Sequence, residues 1–256
     1  MSLNPFNPNE AYRASQERWK RKAERPYARE VYRILQRASK EAEQAVRDGL
    51  DPFSGPYLIG GGLEAELAYV LNKRNRMVAT QWGQIVARSA KSHMGLERKD
   101  FATDFSLWLD RWIAAHLAAK VTRISDTTRA QIRDSIAIGL REELGPRQVA
   151  RLIQERTRTI GRSRAMTIAT TEVNGASNAA TVEAANALDI TTRRQWIAAS
   201  DRRTRTSHEI ANGQIRADGE AFDVGGAKLM HPGDPNSRAP QEIIRCRCGV
   251  GLVLVD

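Results

Sequence analysis

The chain has 256 residues, of which 41% are hydrophobic and 27% are charged, enough for one large domain or two modest ones of about 100–200 residues each. Its 40 Lys and Arg outnumber 30 Asp and Glu, which gives a net charge of +10. That balance suits a protein close to a polyanion, although a solvated cationic surface has the same composition. No stretch approaches the roughly 18 consecutive apolar residues that cross a bilayer, and the first residues lack the pattern of a secretory signal. We therefore expect neither a membrane protein nor a secreted disulfide scaffold.

An amino-terminal segment, residues 1–62, precedes the main helical region. Its first dozen residues are rich in Asn and Pro and are expected to be loose or extended. Apolar residues at helical spacing then predict a basic helix over residues 12–47, which Gly49 closes. Pro and Gly residues between 51 and 62 exclude helix interior and predict a linker, or an arm that reaches a neighbour.

Residues 63–188 have the periodicity of a helical body. A second helix is predicted to begin at Leu63 and a third near Asp100, where aromatic and aliphatic residues recur on one stripe. Trp108 and Trp112 are four residues apart and therefore lie on one helix face. Aromatic residues at this spacing indicate a packed core rather than a platform that stacks nucleic-acid bases.

Local start and stop signals divide the second half of this body into shorter helices. Ser125 and the residues after it are predicted to cap one helix, which ends at Gly145. Pro146 can open the next helix at its first turn, and Gly161 is predicted to break it. Ser163 would then cap an Ala-rich helix.

The sequence pattern changes after residue 188. Residues around Trp196 have strand propensity, Gly and Pro separate the short segments that follow, and residues 249–255 predict a final strand. We expect a mainly α fold in which a helical body carries a small β-rich or irregular module at residues 189–256 (α+β). Because so small a module buries little surface alone, it should dock on the helices or carry a metal.

The residues that could bind a metal or act in catalysis are concentrated in this C-terminal module. The two cysteines are one residue apart, so a disulfide between them would be strained and reduced thiols are expected. Cys246, Cys248 and His208 are ligand types that zinc prefers, with His231 or Asp201 as a fourth ligand. Cys-x-Cys is shorter than the usual zinc-knuckle spacing, and a pair of partly buried thiols is the alternative. A structural Zn²⁺ ion is therefore one hypothesis.

Two other hypotheses use the same residues. In one, His208 is the general base of a metal-dependent nuclease, but the neighbouring acidic residues form no recognisable ligand set. In the other, which we favour, the module is structural and has no catalytic residue. Asp201 then caps its loop and pairs with an arginine, while His208 links that loop to the segment that contains Cys246.

Several separated motifs occur in a distinctive order. They are Arg164-Ala-Met-Thr-Ile-Ala-Thr-Thr-Glu172, Trp196, Asp201-Arg-Arg-Thr-Arg-Thr-Ser-His208, His231-Pro-Gly-Asp-Pro235 and Cys246-Arg-Cys248. Over about residues 125–256 the chain resembles the phage head-morphogenesis family, which includes the Mu F-like and SPP1 minor head protein-like proteins. Two positions depart from the family pattern. Thr170 stands where relatives often have arginine, and His231 stands where an aromatic residue is more common.

The resemblance implies a non-enzymatic minor capsid protein of the virion that acts in head morphogenesis and in DNA packaging or delivery. The implied partners are the portal protein, the major capsid protein or both, and double-stranded DNA bound without sequence preference. The implied location is inside the head near the portal vertex, after synthesis in the host cytoplasm. The residues expected to form the structural motif are Glu172, Trp196, Asp201, Arg203, Arg205, His208 and Arg247. Those expected to contact DNA are Arg193, Arg194, Arg202, Arg203 and Arg205.

The amino-terminal part lies outside this resemblance. The basic helix at 12–47 and the arm at 51–62 are candidates for docking on the portal or capsid, and completing the helical body is the alternative role. The alternative functions for the whole chain are a metal-dependent nuclease and a cellular zinc-stabilised DNA-binding protein. The second of these would need an element that reads a DNA groove, and we find no recognition helix with helix-turn-helix spacing.

Overall fold

The computed structural model describes residues 4–51 and 62–255. Four long helices are followed by short strands and helical turns. In chain order the elements are α1 (Glu10–Arg47), α2 (Leu63–Met94), α3 (Phe101–Arg141), α4 (Pro146–Ala187), β1 (Thr192–Ile197), α5 (Thr206–Ala211), β2 (Ile215–Arg216), β3 (Phe222–Val224), β4 (Ala227–Leu229), α6 (Pro240–Ile243) and β5 (Gly249–Leu254). The predicted mainly α fold with a small C-terminal β module is confirmed. Within the described ranges, none of the helices has the length and apolar character that a membrane span requires.

The chain forms two compact units, and their division passes through all four long helices. The first unit comprises residues 1–25, 74–113 and 168–256, and the second comprises residues 26–73 and 114–167. On α1 the division falls at Pro26, a proline inside the helix, where the backbone lacks one hydrogen-bond donor. The sequence-based boundaries at residues 62 and 188 stay predictions, and the predicted arm at 51–62 lies almost entirely outside the described residues.

In the first unit, the C-terminal module contains two antiparallel sheets. One has the strand order β2-β1-β5, with Trp196 of β1 opposite Val250 of β5, and the other pairs β3 with β4. The Trp196 ring is fully buried and makes an edge contact with Phe222, at 5.4 Å between ring centroids. The start of the chain also touches this module, because the Leu252 amide donates to the Pro5 carbonyl at 2.8 Å. The module therefore has a small aromatic core and is not packed alone.

The prediction that a helix starts at Ser125 is wrong, because α3 is continuous from residue 101 to residue 141. The Ser125 hydroxyl donates to the Glu64 carboxylate at 3.2 Å rather than capping a helix. The Thr128 hydroxyl donates to the Ile124 carbonyl four residues earlier, and the Arg164 guanidinium donates to the same carbonyl at 2.6 Å. The Ser125 hydroxyl thus bonds a neighbouring helix and the Thr128 hydroxyl bonds its own helix, so neither serves as a helix cap.

The predicted break at Gly161 and cap at Ser163 are also wrong, because α4 runs unbroken from Pro146 to Ala187. Gly161 is buried, and a β-carbon at this position would lie 3.4 Å from the Tyr32 ring. The Ser163 carbonyl accepts a hydrogen bond from the Thr167 hydroxyl within the helix. The low helix propensity of one glycine, worth about 1 kcal/mol, is therefore not enough to end a helix that continues on both sides of it.

Two helical glycines of the second unit give opposite expectations for substitution by alanine. A β-carbon at Gly139 would lie 2.5 Å from Cγ2 of the stiff Val149 side chain, whereas at Gly161 it would make ordinary contacts. We expect Gly139→Ala to lower the free energy of unfolding by about 1–3 kcal/mol through overpacking. Gly161→Ala should leave it unchanged or raise it by up to about 1 kcal/mol. Urea unfolding of both variants measures the difference, and equal effects would contradict this packing.

Candidate metal centre in the C-terminal module

Three sulfur and nitrogen donors meet in the interior of the C-terminal module. Their ligand atoms, from His208 on α5 and from Cys246 and Cys248 just before β5, all lie within 4.8 Å of one another. His208 Nδ1 is 3.2 Å from the Cys248 sulfur and 3.7 Å from the Cys246 sulfur. The imidazole is 2% exposed and each cysteine 1%. We call these three residues the Cys–His cluster.

Local backbone geometry explains how short segments present these side chains. The His208 amide bonds to the Arg205 carbonyl in the turn of α5, and the Cys246 amide bonds to the Ile243 carbonyl at the end of α6. Arg245 has a positive φ of 60°, which turns the chain between α6 and the cysteines. The Trp196 side chain lies in the same buried core as the two cysteines and makes an edge contact with the His208 ring, at 5.5 Å between ring centroids.

A buried carboxylate completes the surroundings of His208. His208 Nε2 lies 2.9 Å from Glu242 Oε2, and the Ser207 hydroxyl donates to the same oxygen at 2.8 Å. Glu242 belongs to α6 and is 8% exposed. When Nε2–H donates to this carboxylate, the Nδ1 lone pair faces the two sulfurs. Sequence reasoning missed Glu242, and its only signal was a position in a turn opened by Pro240, four residues before Cys246.

Hydrogen bonding within the cluster shifts the pKa values of the two thiols in opposite directions. The Cys248 thiol donates to the Cys246 sulfur, and this bond, together with the bond and charge of His208, outweighs burial and lowers the pKa of Cys246 well below its usual value. The same bond and burial raise the pKa of Cys248. Burial alone would lower the pKa of His208, but the Cys246 thiolate outweighs it, so the pKa is raised. The Cys246 sulfur is therefore the more acidic of the two.

A lysine from α1 reaches the same region. Lys20 Nζ donates to Asn174 Oδ1 at 2.6 Å and to the Cys248 carbonyl at 3.2 Å. Burial lowers the pKa of Lys20 to about 8, against the opposing attraction of the two cysteine sulfurs. Asn178 also donates to the Cys248 carbonyl, at 3.0 Å, and accepts from the Val250 amide at 3.1 Å. Helices α1 and α4 therefore fix the backbone that carries the sulfurs.

The donor set fits a soft divalent metal. Two thiolates and a histidine nitrogen are ligands typical of structural zinc, and a histidine whose second nitrogen bonds a carboxylate is the usual outer arrangement at such sites. Among the described residues, the geometry places no fourth His, Cys, Asp or Glu donor with these three. A metal there would therefore take its remaining ligand from outside that set.

The structure does not bring the two alternative ligands into the cluster. Asp201 lies in the loop before α5, where its carboxylate accepts from the Arg203 amide at 2.9 Å and from the Thr204 hydroxyl at 3.2 Å. His231 is buried in the turn after β4, with Nδ1 3.2 Å from the Pro232 carbonyl. Asp201 thus stabilises its own loop, and His231 belongs to a separate turn.

The remaining residues of the expected structural motif occupy different positions around the module. Glu172 on α4 is buried and accepts from the Asn75 amide nitrogen at 2.9 Å. Arg205 donates to the Ile244 carbonyl at 2.6 Å, which joins the loop to the end of α6. Arg247 lies 3.8 Å from Glu24 of α1, and the Arg203 side chain is exposed. Of these residues, Arg247 joins the module to α1, Arg205 acts within the module, and Glu172 links α4 to α2.

Arg194, one of the arginines expected to contact DNA, lies inside the module. Its side chain is 3% exposed and donates to the carbonyls of Met230, Ala217 and Glu220 at 2.5–2.7 Å. The guanidinium is therefore bonded to backbone carbonyls inside the module and is not exposed to a phosphate. Of the other arginines expected at DNA, Arg205 is half-buried, and the exposed ones are Arg193, Arg202 and Arg203.

Neighbouring arginines of β1 provide a matched test of this assignment. Arg194→Gln should lower the free energy of unfolding by about 2–4 kcal/mol, because buried carbonyls lose charged donors. Arg193→Gln, at the exposed adjacent position, should change it by less than about 0.5 kcal/mol. Chemical denaturation of the two variants measures both values. Similar, small effects would show that the Arg194 guanidinium is not a structural donor.

The comparisons with known proteins agree with the motifs. Residues 130–251, just under half of the chain, match the family model described as Phage Mu protein F like protein. No curated protein and no solved structure matches the chain. The matched span includes all three residues of the Cys–His cluster, and the resemblance inferred from the sequence is confirmed. Over residues 130–251 the chain is similar to the Mu protein F-like proteins, and this match supports a phage head-morphogenesis family.

Proposed function

We propose that this chain is a minor head protein that binds the portal inside the procapsid and acts in DNA packaging or delivery. The family match over residues 130–251 carries this proposal, since it supports a role in phage head morphogenesis generally. The net charge of +10 supports a position close to the genome, because cationic surfaces bind the phosphate backbone without reading sequence. The major capsid protein is the other candidate partner.

A structural rather than enzymatic role accounts best for the Cys–His cluster. A nuclease metal site needs an open coordination position and usually oxygen ligands near solvent. Here His208 and both cysteines are at most 2% exposed, and the Trp196 ring contacts the imidazole edge-on. The alternative of a metal-dependent nuclease predicts nicking of supercoiled plasmid with added Mg²⁺, Mn²⁺ or Zn²⁺. Nicking that disappears in the His208→Ala variant would overturn the structural role.

We further propose that the Cys–His cluster holds a structural Zn²⁺ ion. The cluster lies in a module whose own core is small, and metal binding would add folding free energy there. Two thiolates would neutralise the charge of the ion. Glu242 would keep the His208 ring oriented with Nδ1 toward it.

Elemental analysis and chelator competition test the zinc site. Protein purified without chelator should contain about one equivalent of zinc, and Cys248→Ser should remove most of it. Glu242→Gln should weaken zinc affinity by about 10–100-fold, because the oriented histidine loses its carboxylate partner. Glu209→Gln, which changes an exposed glutamate beside His208, is the control and should leave affinity unchanged. Zinc-free protein whose melting is unaffected by chelator would contradict the proposal.

Co-purification with the portal tests the proposed location. Full-length chain expressed with the other head proteins should be retained in purified heads and remain with the portal ring when the shell is dissociated. Deletion of residues 1–62 is not a clean test of docking by the amino-terminal helix, because Tyr12 and Lys20 of α1 bond to the C-terminal module. The full chain is therefore used. Heads that consistently lack the protein would overturn the assignment.

A further inference from the structure

Helix α4 carries a line of exposed arginines in the second compact unit. Arg147, Arg151, Arg158 and Arg162 are all exposed. At 100° per residue, their positions fall within an arc of about 60° around the helix. From the first to the last, the line extends about 22 Å along the helix at 1.5 Å per residue. Such a line is a surface feature, and Val149 and Ile153 on the opposite side of the helix are buried.

Helix α1 carries a second line of cations in the same unit. Arg29, Arg33 and Lys40 are exposed and fall within an arc of about 40°. Arg37 and Arg47 lie beside them, but each pairs with a glutamate, Arg37 with Glu66 and Arg47 with Glu43.

Direct contacts bring the two lines together. The Gln36 amide nitrogen of α1 donates to the Thr157 carbonyl of α4 at 3.4 Å, and the Arg162 guanidinium lies 5.7 Å from the centre of the Tyr32 ring. Because residue numbers rise along α1 as they fall along α4 at these contacts, the helices are antiparallel. When each helix is viewed from its N-terminus, its cations are displaced from the contact positions in the same rotational direction. Because the helices are antiparallel, both lines of cations therefore face the same side of the helix pair. We call the seven cations without an acidic partner among the described residues the cationic ridge: Arg29, Arg33 and Lys40 of α1, and Arg147, Arg151, Arg158 and Arg162 of α4.

Most of these charges have no acidic partner within the described part of the chain. No ion pair involves the cations of the ridge, which are Arg29, Arg33, Lys40, Arg147, Arg151, Arg158 and Arg162, and Arg162 makes only the contact with Tyr32. By contrast, Arg156 of the same helix pairs with Asp134. Cations left unpaired and close together repel one another, a cost that an anionic partner would remove.

The chemistry of the ridge favours nucleic acid over a protein partner. The centre of a protein interface needs aromatic or aliphatic side chains that become fully desolvated. The exposed large apolar residues of α4 in this unit are Ile160 and Met166, and both lie at other angles around the helix. The phosphate backbone requires only accessible cations. A ridge of about 22 Å spans roughly two thirds of one turn of duplex DNA.

We propose that the cationic ridge is the principal duplex-DNA-binding surface of this protein and that it contacts the sugar–phosphate backbone without reading bases. The inference rests on the proposed function, which includes DNA contact, and names the surface responsible. That surface differs from the sequence-based expectation, which placed DNA at the arginines between residues 193 and 205. Of those, Arg194 is buried, whereas the ridge presents seven cations on one side of two adjacent helices.

Variants of equal charge change test the surface. The α4 variant is R147Q/R151Q/R158Q, the α1 variant is R29Q/R33Q/K40Q, and the control is R193Q/R202Q/R203Q, which removes three exposed arginines from the C-terminal module. Fluorescence anisotropy with a duplex of about 30 base pairs is measured from 50 to 300 mM salt. Each neutralised phosphate contributes about −0.9 to the slope of log K against log salt. Each ridge variant should therefore reduce the slope by about 2–3, with little change in the control.

The outcomes separate this inference from the proposed function. Equal reductions in all three variants would show that binding follows net charge, and a reduction in the control alone would place DNA on the C-terminal module. Either result overturns the ridge while leaving DNA contact intact. Wild-type protein that fails to bind DNA would overturn both the ridge and the DNA contact of the proposed function. A ridge variant that binds DNA normally but is lost from purified heads would assign the surface to a protein partner. Thermal melting confirms that each variant is folded.

Discussion

The attachment of the C-terminal module depends on hydrogen bonds to the backbone around the beginning of β5. The Cys248 carbonyl accepts from Lys20 and Asn178, the Val250 amide donates to Asn178, and the Val250 carbonyl accepts from the Tyr12 hydroxyl at 3.0 Å. All these groups are buried, so none could be left unpaired without a large desolvation cost. Polar side chains on α1 and α4 thus specify the position of a strand whose own module has little apolar core.

These same bonds position the Cys–His cluster. Cys248 is the residue whose carbonyl is held by the helices and whose sulfur faces His208. Movement of β5 would therefore separate the Cys248 sulfur from the imidazole, which Glu242 holds in place. A buried group of thiols and imidazole is costly unless its protons or a metal are well placed. The helical body supplies that placement, which explains why the chemistry and the docking of the module occur at one location.

The sequence was sufficient for the helices with clear apolar periodicity. The predicted helix at 12–47 is α1, and the predicted start at Leu63 is the start of α2. The predictions at Ser125 and Gly161 failed because local capping and breaking propensities are worth about 1 kcal/mol. At Ser125 a bond to Glu64 of α2 engages the hydroxyl, and at Gly161 helix α4 continues on both sides, so neither local signal ends a helix. Such tertiary contacts connect residues far apart in sequence and leave no local pattern.

The site was predictable only in part, for a related reason. The types and scarcity of Cys246, Cys248 and His208 were enough to suggest a cluster. Glu242 could not be distinguished by sequence from other glutamates. Lys20 lies more than two hundred positions before Cys248, so no local pattern connects the two. Arg194 resembled its exposed neighbours because β-strand alternation decides which of two adjacent arginines faces inward, and the register of β1 with β5 sets that alternation.

Translation order gives the late position of β5 a further consequence. The four long helices leave the ribosome before this strand. Tyr12, Lys20 and Asn178 are therefore synthesised well before their partners, which are backbone groups of Cys248 and Val250. A polypeptide that ended before Cys248 would leave Lys20 without the Cys248 carbonyl, and Asn178 without that carbonyl and the Val250 amide. The bonds that attach the module to the helices therefore form only after α1, α4 and β5 have all been synthesised.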